Sequence, residues 1–506
     1  MDTVYAIVTV AALLISFAVY RSNDSRNRRL PPGPKRHPLI GNLMDMPRGL
    51  AWIQYAKWCR ELSSDIIHLS VGGQSIVILD SAEVVHELLE KKSAIYSSRA
   101  QLTMLHDLIG WKYTFSFAPY DAIWREQRKI FTKVINPSNP TLFHSKQLAA
   151  AHDLLERLAG TSDVMEALHH WSAVLIMDIT YGISGDAADP YIATAIQALD
   201  SLAIAGTPGE FLVDTIPLLR YVPEWFPGAT FKKKARVWYK LRQDMTDKPY
   251  LTAKKLIASG TYAPSLVSYA LETLDHASDV TMQEDVIKGA AVTSYGGGSD
   301  TVVAAMSAFI LAMLLHPDIQ ARAHHELDTA LGPDDLPTFD DEFRLPYISA
   351  LVKEVLRHNP VTPLAIPHYL IDDDTHAGYW LPKGSIVIAN AWSILHDEKT
   401  YPDPFAFNPG RFLDADGQLD PAVKDPATVS FGFGRRVCPG RHVAIASIWI
   451  TVASILARYE ITRATDSNGK PVEVSGEWYT GSTLFNRPLP FTCAFKRRHS
   501  SPMTVA

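Results

Sequence analysis

From Gly289 to His316 the chain carries a single charged side chain, Asp300. A run that apolar has to be buried, either in protein or in lipid. Its uninterrupted apolar part, residues 302–315, is shorter than the roughly 20 residues that cross a bilayer. The stretch therefore reads as a helix through the middle of a large folded body. Gly296, Gly297 and Gly298 lie within it, and each costs a helix roughly 1 kcal/mol against Ala. Such a cost predicts that something approaches the backbone there. Counting back from Thr301 along the helix, Gly298, Gly297, Ser294, Thr293 and Ala290 share its face. Asp300 needs a partner or a task, because an unpaired charge in apolar surroundings is costly.

A second stretch, Phe431 to Gly440, sets one cysteine, Cys438, in a turn of glycines and a proline beside Arg435 and Arg436. An apolar run from Val443 to Ile450 follows and reads as a helix. A loop that opens a helix meets unpaired N–H groups and the positive end of the dipole. That field and the two arginines favour thiolate over thiol, and the thiolate is the metal-binding form. Gly434 and Gly440 let the backbone take positive φ or approach a bulky planar group.

The 506 residues suffice for a large core, and no Ser/Gly linker divides them. A net charge of −6 argues against nucleic acid as a partner. Three widely spaced cysteines, Cys59, Cys438 and Cys493, form neither a disulfide framework nor a zinc pattern, and a reducing compartment suits them. Thr3 to Tyr20 is uncharged and apolar, at the short end of what spans a bilayer. Only Asp2 precedes it, whereas a secretory signal would begin with positive charge. Arg21, Arg26, Arg28, Arg29, Lys35 and Arg36 follow, which places the rest of the chain in the cytosol. The sequon at Asn23 would lie on that side and stay unmodified. Pro31-Pro32-Gly33-Pro34 cannot continue a helix. The expected organisation is an anchor over 1–20, a basic, proline-rich hinge over 21–40 and one body over 41–506. Short β-type runs (Ile66–Val71, Ser75–Leu79) precede helical periodicity from about residue 84, so the fold class is mostly α with a small β region.

The spacing Phe431-x-x-Gly434-x-Arg436-x-Cys438-x-Gly440 resembles the haem-binding loop of the cytochrome P-450 family, the thiolate case among haem proteins. Gly297-Gly298-Ser299-Asp300-Thr301 resembles the family's oxygen-activating motif, with Val302 where a hydroxylated residue is usual. Trp124 and Arg128 resemble its Trp-x-x-x-Arg pair, and Glu354 with Arg357 its Glu-x-x-Arg, completed by Arg411. These motifs occur in the family's order. The proline-rich hinge and the proline-interrupted segment 202–231 also look like the family's, the latter as a roof over the substrate.

The resemblance implies a membrane-anchored haem-thiolate monooxygenase with Cys438 as axial iron ligand. It implies haem b (iron protoporphyrin IX) held by Trp124, Arg128, His368 and Arg436, and proton relay by Asp300 and Thr301. Glu354, Arg357 and Arg411 would be a structural triad. The substrate pocket would draw on Ala290, Thr293, Ser294, Gly297, Gly298, Val361, Leu364, Ile366 and Leu484, with Val361–His368 strand-like. O2 would be co-substrate for hydroxylation or epoxidation of an apolar small molecule in secondary metabolism or xenobiotic oxidation. Electrons would come from NADPH through a separate flavoprotein reductase on the endoplasmic reticulum membrane. That partner would meet Arg435, Arg436 and Arg441. The anchor and Cys438–His442 look like those of fungal members. A haem-thiolate isomerase or dehydratase, and a non-catalytic haem protein, are the alternatives; reductase-dependent NADPH consumption separates them.

Overall fold

The computed structural model describes residues 29–498 apart from 39, 137–138, 161–162, 207–209, 333–334, 467 and 480–484. The expected anchor, Asn23, most of the hinge's first half and Leu484 lie outside the described residues.

The apolar stretch with one acid is the middle and end of a 36-residue helix, Val280–Leu315. The Asp279 carboxylate caps it by accepting from the Met282 backbone N–H. It is long and apolar enough to cross a membrane, yet 78% of its most apolar window is buried in protein. It is the core helix of the body. Helices Val164–Tyr181, Thr230–Ala258, Pro346–His358 and Arg441–Arg458 pack around it. Helix Asp189–Ala205 lies against Thr230–Ala258.

The described strands are β1 (Ile66–Val71), β2 (Gln74–Leu79), β3 (His368–Tyr369), β4 (Asp374–His376), β5 (Tyr379–Leu381), β6 (Ile386–Ala389), β7 (Tyr459–Arg463) and β8 (Cys493–Arg497). Four form one sheet in the order β1-β2-β6-β3, with β2 and β6 parallel. Gly72 and Gly73, both at positive φ, make the two-residue turn between β1 and β2. This sheet ends at His368, beside the site. The strand-like reading of Val361–His368 fails over its first seven residues. Pro363 and Pro367 supply no N–H for a ladder, and Ala365 turns back through a bond from its N–H to the Thr362 carbonyl.

Candidate active site

Gly434 has φ of +56°, and a Cβ there would stand 2.2 Å from the Leu89 carbonyl oxygen. Only glycine fits, and the turn it allows carries the chain to Cys438, whose N–H donates to the Phe431 carbonyl at 2.9 Å. Helix Arg441–Arg458 starts three residues later, with Gly440 as its cap. The charges acting on the Cys438 thiol are Arg128 and Arg441, helped by the backbone N–H groups of Gly440 and Arg441. Arg435 and Arg436 do not serve it. Arg435 donates to the Tyr120 hydroxyl, while Arg436 turns away to the carbonyls of Ser97, Phe115 and Ala118 at 2.7, 3.0 and 2.8 Å. Burial is the stronger influence and pushes the thiol up, against the reading that the loop alone favours thiolate. A metal bound at the thiol would supply, by its own charge, what these residues lack.

Above Cys438 lies a cavity of about 280 Å³. Thr293, Ser294, Gly297, Gly298, Thr301, Val361, Ile366, His368, Arg436 and Cys438 line it. Phe115, Phe117, Leu199, Leu202 and Phe485 add apolar wall. Two expected pocket residues lie elsewhere. Ala290, three turns from Thr301, is sealed in the core beyond the cavity's end; Leu364 packs with Trp52 and Trp392 instead. The glycines divide their labour. A Cβ on Gly298 would stand 2.6 Å from Ile176 Cδ1, and one on Gly296 3.0 Å from Leu199 Cδ2. Gly297 alone of the three faces open space. What approaches the backbone at 296 and 298 is therefore the neighbouring helices' side chains.

Thr301 Oγ1 donates to the Gly297 carbonyl at 2.6 Å. Asp300 lies off the cavity, its carboxylate 4.0 Å from His169 Nδ1 on helix Val164–Tyr181. Burial raises the Asp300 pKa, while His169 and Arg487 pull it down and Asp200 adds to the rise. Ser172, one turn after His169, donates to the Ser299 carbonyl at 2.7 Å and ties the two helices together here.

Trp124 and Arg128 share one face of helix Ala122–Val134. Trp124 Nε1–H is buried and has no hydrogen-bond partner. Arg128 Nη1 donates to the Val437 carbonyl at 2.7 Å. Arg436 stacks over Trp124 with its guanidinium carbon 4.6 Å from the ring centre, and desolvation takes its pKa down to about 9. His368 Nδ1 bonds to the Tyr96 carbonyl at 2.8 Å, and burial holds the ring neutral. Arg99, which sequence reasoning missed, completes the group. It is buried, lines the cavity and lowers the pKa of His368. Its signal was a lone arginine in Tyr96-Ser97-Ser98-Arg99, next to chain with no acid before Asp107. An orphaned buried indole N–H amid three arginines, with no acid lining the cavity among the described residues, fits an anionic ligand edge such as haem carboxylates.

Glu354 and Arg357 are fully buried, joined at 2.7 and 2.9 Å through both carboxylate oxygens. Arg411 Nε reaches the same carboxylate at 3.2 Å. Arg357 also donates to the Leu395 and Ala406 carbonyls, and the Asn408 N–H to Glu354 Oε1.

Comparison with known proteins agrees with this geometry. Residues 31–482 match the family described as Cytochrome P-450. The chain is 64% identical over 500 residues to cytochrome P-450 monooxygenase 98 of Postia placenta, covering 99% of this chain and 96% of that one. It is 42% identical over 498 residues to tryptamine 4-monooxygenase of Psilocybe cyanescens, covering 97% and 98%. To cytochrome P-450 monooxygenase ple1 of Rhodocybe pseudopiperita it is 40% identical over 488 residues, covering 96% and 92%.

Proposed function

We propose, since the chain belongs to the cytochrome P-450 family and is a monooxygenase, that it inserts one oxygen atom from O2 into a neutral, apolar small molecule of fungal secondary metabolism. The observation that carries this is the cavity over Cys438: its wall is aromatic and aliphatic, and its charged members are all basic. An ammonium group, as in the substrate named for the Psilocybe relative, would find no carboxylate on the described wall. A desolvated cation without a partner is costly, so a protonated amine is a poor fit.

The family implies haem as cofactor, and when bound it supplies the redox chemistry of oxygen activation. Cys438 Sγ would hold its iron. Trp124 Nε1–H, Arg128, Arg436 and His368 would hold its carboxylates, with Arg99 backing His368. Thr301 stands on the cavity wall with a hydroxyl that both donates and accepts. Asp300 stands behind it, its side chain about one-third exposed, with its carboxyl held above the usual range. It can take a proton from the solvent side and give it up toward the cavity. The Glu354–Arg357–Arg411 group would serve as scaffold and take no part in proton transfer.

By membership of the family, electrons would come from a separate NADPH-dependent flavoprotein reductase. Membrane attachment through 1–20 and a hinge over 21–40 agrees with one surface of the body. Leu212, Leu218, Tyr221 and Trp225 are exposed there by 70, 74, 71 and 81%. Met44, 74% exposed, belongs to the same region. The Gly72 turn touches both segments: its N–H donates to the Ile40 carbonyl, and Thr215 Cγ2 lies 3.8 Å from its Cβ position. An apolar surface of this kind at the end nearest the hinge suits contact with the endoplasmic reticulum membrane, with the catalytic body cytosolic.

Co-expression with a fungal reductase, with a panel of terpenoids, steroids, polyketides, polycyclic aromatics and tryptamine, tests the reading by mass spectrometry. Reductase-dependent oxygenated products from neutral panel members are expected. Turnover of tryptamine alone would overturn the substrate class.

A further inference from the structure

Three hydroxyl residues on the cavity face of the central helix treat their protons differently. Thr293 Oγ1 donates back to the Gly289 carbonyl at 2.7 Å and accepts from the Phe115 N–H at 3.0 Å. Thr301 Oγ1 donates back to the Gly297 carbonyl. Both follow the usual habit of a helical hydroxyl, bonding one turn back. Ser294 does not. Its Oγ meets Thr180 Oγ1 at 2.9 Å, from helix Val164–Tyr181.

The direction of that bond is settled by burial. Thr180 is 0% exposed and makes no other side-chain hydrogen bond. If Ser294 donated, the Thr180 proton would be sealed in the core without an acceptor, a full desolvation cost for one hydroxyl. Thr180 therefore donates and Ser294 accepts. The Ser294 proton is left uncommitted, on a residue that is 9% exposed and lines the cavity. The same cavity wall includes Ile179, Leu199, Leu202 and Val292, none of which accepts a hydrogen bond through its side chain. A buried donor in an apolar wall is costly unless the ligand brings an acceptor.

We propose that Ser294 donates a hydrogen bond to an oxygen of the substrate. The natural substrate is then an apolar skeleton that carries a carbonyl, ether or hydroxyl oxygen. Seven residues separate Ser294 from Thr301, so that oxygen docks about 10 Å along the helix axis from the level of Thr301, at 1.5 Å per residue. The inference rests on the proposed monooxygenase reading of this cavity and names the polar handle by which it orients its substrate.

The test uses the haem-loaded protein and two rigid probes, the steroid ketone androstanone and its parent hydrocarbon androstane. Equilibrium dialysis from a common cyclodextrin stock gives the ratio of their dissociation constants. The ratio is compared between wild type, Ser294→Ala and Ser294→Thr, so the probes' own partitioning cancels. Ser294→Ala should cut the preference for the ketone several-fold, up to about ten-fold, the worth of one net hydrogen bond, and Ser294→Thr should restore it. Androstane binding should be the same in all three. An unchanged ratio in Ser294→Ala, or failure of the ketone to bind the wild type, overturns the proposal. Dialysis needs no electrons, so turnover is scored separately. An unchanged ratio with normal turnover removes the Ser294 handle alone. A Ser294-dependent preference without reductase-dependent products removes the monooxygenase reading and leaves the handle.

Discussion

Two regions flank the cavity and solve opposite problems. Behind Cys438, Glu354, Arg357 and Arg411 form a buried ion cluster in which each guanidinium also donates to backbone carbonyls. Across from it, the central helix has no side chain at Gly296–Gly298, keeps Asp300 partly exposed and leaves a hydroxyl proton free at Ser294. The first is over-determined: every charge has several partners, so one geometry wins. The second has slack, and slack lets water, protons and ligand oxygen enter. A buried ion pair adds little net stability compared with apolar packing, but breaking one is severe. The difference predicts that mutations behind the thiol cost structure and mutations across the cavity cost chemistry.

The largest expected effect is at Cys438. Cys438→Ala should abolish the red-shifted Soret band of the reduced carbon monoxide complex. Cys59→Ala and Cys493→Ala should keep it, since both thiols are buried away from the cavity, and burial holds the Cys59 thiol well above the usual range and pushes that of Cys493 to about 12. A normal band in the Cys438 variant would remove the site from this loop altogether.

Next comes the scaffold. Glu354→Ala leaves Arg357 fully buried, with carbonyl partners but without its ion-pair partner. The expected loss is about 3–5 kcal/mol in chemical denaturation, with haem retention falling in step. A loss below about 1 kcal/mol would show that the cluster behaves like an exposed pair and would dissolve the contrast between the regions.

Across the cavity the balance should reverse. Thr301→Ala removes a hydroxyl from the wall and replaces it with a better helix former, so stability should hold. Haem and substrate binding should hold as well, and NADPH should still be consumed. Product per NADPH should fall on the order of 10²-fold, the low end for lost acid–base assistance, because water can still carry protons. Peroxide should account for the missing product. Unchanged coupling would make Thr301 a packing residue.

How much of this the sequence disclosed follows from the range of each interaction. Elements set by local signals came through: the apolar run from Val443 to Ile450 lies in helix Arg441–Arg458, and Gly434 marks the loop. Long-range partnerships did not. Glu354 and Arg357 have the spacing of an ordinary surface pair, and nothing local says that both point inward. His169 is 131 positions from Asp300, in a His-His pair that could face anywhere. The arginines near the thiol were misjudged because sequence neighbours seemed closer than Arg128, which arrives from another helix. The strand-like reading of Val361–His368 failed because Pro363 and Pro367 supply no N–H for a ladder.

The smallest expected effect concerns pH, and it sharpens the contrast through the scaffold's histidines. His358 and His396 are buried next to Arg357 and Arg411, their pKa values lowered to about 4 and about 3, first by desolvation. Arg357 opposes protonation of both, as do Arg411 and, for His358, His316. Each ring's folded pKa lies below its unfolded value near 6.5. Between those values the unfolded chain binds protons that the folded chain refuses. The associated stability is complete above about pH 6.5 and drains away as pH falls toward 4, at about 1 kcal/mol per pH unit for each ring. His358→Phe keeps an aromatic ring against Trp478 and Phe407 and gives up one bond to the Phe405 carbonyl. Denaturation midpoints at a series of pH values from 7 to 4.5 should show a slope flattened by about one ring's share. An identical slope would mean that His358 is reached by protons without unfolding, and that the scaffold side of the cavity has the slack assigned to the other.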